Sequence, residues 1–196
     1  MIKGTSSAPD LTGKFTDPTI PAGYAPFNIQ KLGDRLYVTY ALQDANKHDD
    51  VAGAHHGFVS VFDTQGNFIG RVGTAGTLNS PWGLAIAPAS FGQFAGYLLV
   101  GNFGDGRINA FNLLTDTFVG QLLRLNGSEL TIDGLWGLTV GNDGSAGSSN
   151  KLYFSAGPNG EADGLFGVIE TPEPGTLSLL GACAISGLIF RRRYRA

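Results

Sequence analysis

Short runs of apolar residues, mostly strand-length, recur along the first 170 positions, and Gly, Asn or Asp bounds most of them. In Arg35-Leu-Tyr-Val-Thr-Tyr40 the aliphatic, aromatic and β-branched residues fit a half-buried pleat. The same signal predicts strands at Gly57–Asp63, Asn67–Val72, Gly96–Val100, Gly106–Asn112, Thr117–Leu122, Lys151–Ser155 and Gly164–Ile169. Between them, Asp63-Thr-Gln-Gly-Asn67 and Asn102-Phe-Gly-Asp-Gly106 supply residues that tolerate positive φ, as tight turns require. No stretch of this body has apolar residues at i, i+3 and i+4 over helical length.

The runs also repeat at long range. Ala25-Pro-Phe-Asn-Ile29, Ser80-Pro-Trp-Gly-Leu84 and Gly134-Leu-Trp-Gly-Leu138 open three similar segments, and their aromatics fall at 27, 82 and 136, spacings of 55 and 54. Short strands at such a period predict β-propeller blades. The expected fold class is therefore all-β: a partial propeller of about three four-stranded blades, followed by a C-terminal transmembrane helix. The expected organisation is the end of a preceding blade and linker at 1–24, three blades at 25–170, and a tail at 171–196. Within the linker, Gly13-Lys-Phe-Thr-Asp-Pro18 reads as the last strand of that preceding blade.

Composition sharpens this picture in two ways. Glycine, at 30 of 196 residues, is about twice its usual share, which suits a turn-rich β chain. The net charge of −3 conceals an asymmetry: residues 1–170 carry 9 Lys/Arg against 15 Asp/Glu, whereas the tail sets four arginines against Glu173. An acidic body argues against nucleic acid as a partner. The single cysteine, Cys183, lies in the tail, so a thiol nucleophile and cysteine-based zinc sites are excluded from the body.

The tail has three parts. Pro172-Glu173-Pro174 is followed by an uncharged apolar stretch at 176–190 and then by Arg191, Arg192, Arg193 and Arg195. As a helix the stretch would be about 22 Å long, short for a membrane span. Its arginines would form a basic stop and keep the body outside the cytoplasm. This sequence resembles the PEP-CTERM sorting signal. The resemblance implies export, contact with membrane lipid, processing by an exosortase-type enzyme, and release to a polysaccharide-rich surface. The amino terminus has no apolar leader, so the expectation is a C-terminal piece of a longer product. The body, through Asp44–Gly53, Gly57–Asp63, Pro81–Ala85 and Gly101–Gly106, is similar to an uncharacterised bacterial propeller family. It is more distantly similar to NHL-type and six-bladed propellers. That resemblance implies no reaction.

Candidate chemistry concentrates in one loop. Asp44, His48, Asp49, Asp50, His55 and His56 include all three histidines of the chain. Asp44, Asp49 and Asp50 offer oxygen ligands for calcium, and His55 and His56 offer ligand contacts. The competing reading is a solvated acidic turn that caps its own backbone. Phe27, Trp82 and Trp136 read either as core residues between repeats or as an aromatic rim for sugar or peptide. Asn102–Gly106 reads as a hairpin turn and not a phosphate loop, because a strand follows it. The leading expectation is a non-enzymatic binding or structural module that meets polysaccharide or another envelope protein. The alternatives are a calcium-dependent hydrolase of the lactonase kind, for which Asp105 and Asn142–Asp143 are weaker ligands, and a truncated product without a role of its own.

Overall fold

Among the described residues, eleven strands form where the apolar runs lie. The computed structural model describes residues 10–170. The first sheet contains β1 (Tyr24–Leu32), β2 (Arg35–Leu42), β3 (Phe58–Asp63) and β4 (Phe68–Thr74). The second contains β5 (Pro81–Ile86), β6 (Leu98–Asn102), β7 (Ile108–Asn112) and β8 (Thr117–Gln121). The third contains β9 (Leu135–Val140), β10 (Leu152–Ala156) and β11 (Leu165–Ile169). Every pairing is antiparallel between neighbours in sequence, so each sheet is a meander.

Two-period alternation explains how these sheets stack. All five residues of β6 are buried. Leu98 and Val100 point into a cluster with Val59, Val61 and Leu84, which joins the first and second sheets. Leu99, on the opposite face, packs with Ile108, Leu135, Leu138 and Leu152, which joins the second and third. A strand buried on both faces reads as a continuous apolar run, as this one does. Each fully buried leucine contributes ~1.5–3 kcal/mol, against an ordering cost of about 1–2 kcal/mol per residue of backbone. The second sheet, covered on both sides, is therefore the centre of the fold.

Close approach of sheets requires small residues. A Cβ on Gly83 would lie 2.8 Å from both the Trp136 carbonyl oxygen and Leu138 Cγ. Only a glycine lets β5 come this near to β9.

The expected fold class needs correction. The all-β part stands, but three antiparallel sheets packed in chain order replace the expected partial propeller with a transmembrane helix. The first two sheets have four strands and the third has three, as the runs in each repeat indicate. The described residues contain one three-residue 3₁₀ turn, Gly92–Phe94, and no helix long and apolar enough to cross a membrane. Positions 176–190, the basic stop and Pro172–Pro174 lie outside the described residues.

Residues 13–18 form no strand. Instead they strap the first sheet, with Gly13 N–H donating to Gln65 O and Phe15 N–H to Gly66 O. The anchor is Asp17. Its side chain is fully buried and paired with Arg71. It also accepts hydrogen bonds from Ser60 Oγ (2.7 Å), Thr19 N–H (2.8 Å) and Thr19 Oγ1 (2.9 Å). Burial alone would raise the Asp17 pKa, but the bonds from Ser60, Arg71 and Thr19 outweigh it and bring the value down to about 2.

Candidate functional site

The three repeat openings converge in space. Phe27, Trp82 and Trp136 stand on β1, β5 and β9, the first strand of each sheet, and all three are half-buried. Each occupies an irregularity of register. Pro26 pairs with Tyr40 and Asn28 with Thr39, leaving Phe27 without a partner. Pro81 pairs with Asn102 and Gly83 with Gly101, leaving Trp82 likewise. In the third sheet, Leu135 faces Ala156 and Leu138 faces Phe154, so Trp136 and Gly137 together oppose Ser155. These are β-bulges, and a bulge re-aims the side chain at the extra residue.

The freed backbone groups find partners. Asn28 N–H donates to Thr39 Oγ1 at 2.9 Å, and Gly137 N–H donates to Ser155 Oγ at 3.2 Å. A hydroxyl on the neighbouring strand thus stabilises the first and third bulges.

The bulged aromatics line one cleft of about 510 Å³. Phe27 meets Trp82 edge to face, with ring centroids 4.5 Å apart at 77°. Phe103, from the β6–β7 turn, lies 6.3 Å from Phe27 in a second edge contact. Both geometries suit the aromatic quadrupole. Trp136 donates its indole N–H to Glu161 Oε1 at 2.8 Å, which fixes the ring's far edge. Glu161 has a φ of 67°, a strained value for a non-glycine residue.

The β2–β3 loop supplies the polar wall. His48, Asp49 and Asp50 line the cleft; Asp44, His55 and His56 do not. Asp44 is a turn cap: its Oδ1 accepts the N–H groups of His48 (2.8 Å) and Asp49 (3.4 Å). These bonds, from His48 first, hold its carboxyl below the usual range. His48 Nδ1 lies 3.0 Å from Asp49 Oδ1, and this hydrogen bond and charge raise the imidazole pKa. Asp50 bridges to Gln43, and its Oδ2 is buried with no hydrogen-bond partner among the described residues. His56 Nδ1 is tied to Val51 O at 2.8 Å, while His55 is exposed at a φ of 70°.

Of the three carboxylates considered as calcium ligands, then, Asp49 and Asp50 reach the cleft and Asp44 serves its own loop. Among the described residues no group of three or more His, Cys, Asp or Glu is arranged to hold a metal ion. Asp105 bonds Asn102 Nδ2 and Arg107 N–H within its turn, and Asp143 binds Ser149. The segment 102–106 is the hairpin turn between β6 and β7. Trp82 and Trp136, read from the sequence as core residues or an aromatic rim, are half-buried on the cleft wall. Phe103 and Glu161 were not singled out from the sequence. Phe103 carried a usable signal, an aromatic inside a turn; Glu161 carried none.

Comparison with known proteins adds an address and relatives. Residues 170–193 match the PEP-CTERM protein-sorting motif. Two curated relatives come from Acanthamoeba polyphaga mimivirus. Uncharacterized protein R648 is 40% identical over 162 residues, covering 82% of this chain and 39% of the relative. Uncharacterized protein L690 is 41% identical over 155 residues, covering 78% and 39%. The chain thus spans about two fifths of the length of these relatives. Among solved structures, Kuenenia stuttgartiensis hydrazine synthase aligns over 87% of this chain and 49% of its own, at 17% identity and a TM-score of 0.40. That likeness is too distant to carry an argument. The sorting motif implies an exported, surface-sorted protein and is consistent with exosortase processing.

Proposed function

We propose that this chain is a non-enzymatic binding module of the cell surface, and that the cleft between its three sheets takes a saccharide unit of the surrounding matrix. The observation that carries this reading is the threefold bulge, which turns Phe27, Trp82 and Trp136 out of the ladders and into one cleft. Its volume falls within the range typical of small-molecule sites, and its lining has the usual form: aromatic walls with a few placed polar groups. Flat rings suit the C–H faces of a pyranose, and carboxylates and hydroxyls on the rim suit its hydroxyls. The surface address implied by the sorting motif would bring such a ligand within reach.

Nothing in the cleft's geometry favours the hydrolase alternative. His48 is engaged with Asp49, and Ser155 Oγ accepts the Gly137 N–H. No nucleophile–base contact is formed among the described cleft residues.

Both tryptophans of the chain line the cleft, so intrinsic fluorescence reports on it directly. Matrix polysaccharide from producing cells should quench or shift that emission saturably. Phe27→Ala, which leaves both reporters in place, should weaken the response about tenfold or more, the scale of one lost aromatic contact. Unchanged binding in folded Phe27→Ala and Trp82→Phe/Trp136→Phe proteins, measured by co-sedimentation, would remove the cleft from consideration.

A further inference from the structure

The electrostatics of the cleft narrow the ligand further, on the premise that the cleft is the binding site. Its acidic side chains are Asp49, Asp50 and Glu161, and among the described residues no lysine or arginine lines it. They are distributed around the aromatics: Asp49 and Asp50 come from the β2–β3 loop, and Glu161 comes from the segment after β10, tied to the Trp136 indole N–H. Aromatic faces carry the negative lobe of a quadrupole and attract cations within about 6 Å of the centroid. Rings and carboxylates therefore act with the same sign.

An acidic saccharide would meet repulsion from three carboxylates and find, among the described residues, only the His48 imidazole, already engaged with Asp49, as a partner. A neutral one would gain the rings but leave the carboxylates without a counter-charge. We infer that the cleft recognises a saccharide bearing a free ammonium group, of the amino-sugar class, with the ammonium held between the aromatic faces and the carboxylates of Asp50 and Glu161. His48 limits this preference from the rim, because its protonated form engages Asp49 and adds a like charge.

The test is titration of the full chain with the β-1,4-linked glucosamine trimer and with its fully N-acetylated counterpart, at a pH where the free amine is protonated. Tryptophan emission and calorimetry give the affinities. The expected result is binding of the free-amine trimer about tenfold or more tighter, with the preference reduced in Asp50→Asn and in Glu161→Gln and eroded by salt. Equal affinities, or preference for the acetylated trimer, would overturn the ammonium assignment and leave the saccharide reading standing. Binding of neither trimer would remove both. The comparison is made on the unmodified protein first, so it does not depend on either variant folding.

Discussion

Asn28 donates its side-chain amide to the main-chain carbonyl of Trp82 at 2.9 Å, across a sequence separation of 54 residues. This bond ties the bulge of the first sheet to the bulge of the second. It fixes how far apart Phe27 and Trp82 stand, and so sets one dimension of the cleft.

Replacing Asn28 by Ala should therefore affect stability and binding separately. Loss of one partly buried hydrogen bond, with a carbonyl left short of a donor, costs about 1–2 kcal/mol. Chemical denaturation should show that loss with an unchanged m-value. The Trp emission of the folded variant should also shift, because the Trp82 environment loosens. A stability loss without any change in emission would mean that the bond does not shape the cleft.

Gly83→Ala tests the close approach of β5 to β9. The new methyl would lie 2.8 Å from a main-chain oxygen, which cannot rotate away. Overpacking of this kind costs about 1–3 kcal/mol. Because the clash is with Trp136 itself, the third wall of the cleft should be displaced. Thermal unfolding and ligand titration should both register the change.

Leu99→Ala probes the central sheet from its other face. Leu99 is fully buried between the second and third sheets. A loss of about 2–5 kcal/mol is expected, from transfer and cavity terms together. An exposed residue such as Leu114, at 95% relative exposure, should tolerate the same change within about 0.5 kcal/mol. Denaturant midpoints of the two variants, measured in parallel, decide the point.

Acid stability should depend on Asp17. Its folded pKa of about 2 lies below the ordinary carboxylate value of 3.8. Its ionised form is thus favoured in the folded state, and the associated stability is present above about pH 4. That stability is lost as pH falls from about 4 through the folded pKa. Asp17→Asn should lower stability at neutral pH, by leaving the Arg71 charge uncompensated, and should flatten the decline below pH 4. Removing one partner of such a buried pair costs about 3–5 kcal/mol. An equally steep acid transition in Asp17→Asn would assign the acid lability elsewhere, to exposed caps such as Asp63 and Asp143, whose pKa values are also lowered.

How much was legible differs between the fold and the site. Strand positions were open to reading because pleat period and turn chemistry are local: apart from 13–18, each predicted run overlaps a strand within about three residues at its ends. The repeat spacing correctly marked Phe27, Trp82 and Trp136 as equivalent. It could not say whether those rings face a core or a cleft. That choice depends on the bulges, and a bulge is a property of a pair of strands and not of one. The loop histidines illustrate the same limit. His48, His55 and His56 are close in sequence, yet only His48 reaches the cleft, because the Asp44 cap turns the chain there and a bond to Val51 O holds His56 back. The polar strap 13–18 read as a strand of another unit because its partners, Ser60 and Arg71, lie 43 and 54 residues away from Asp17.

By itself, then, the sequence determined what is encoded at short range: an all-β body, strand runs in three repeated segments, a body short of positive charge, and a sorting tail recognised by its linear order. The tertiary structure alone decided which faces of those strands meet. It placed four aromatic rings and three carboxylates around one cleft and made Asp17 a buried anchor. The physical reason is that register and sheet packing are set by contacts between residues tens of positions apart.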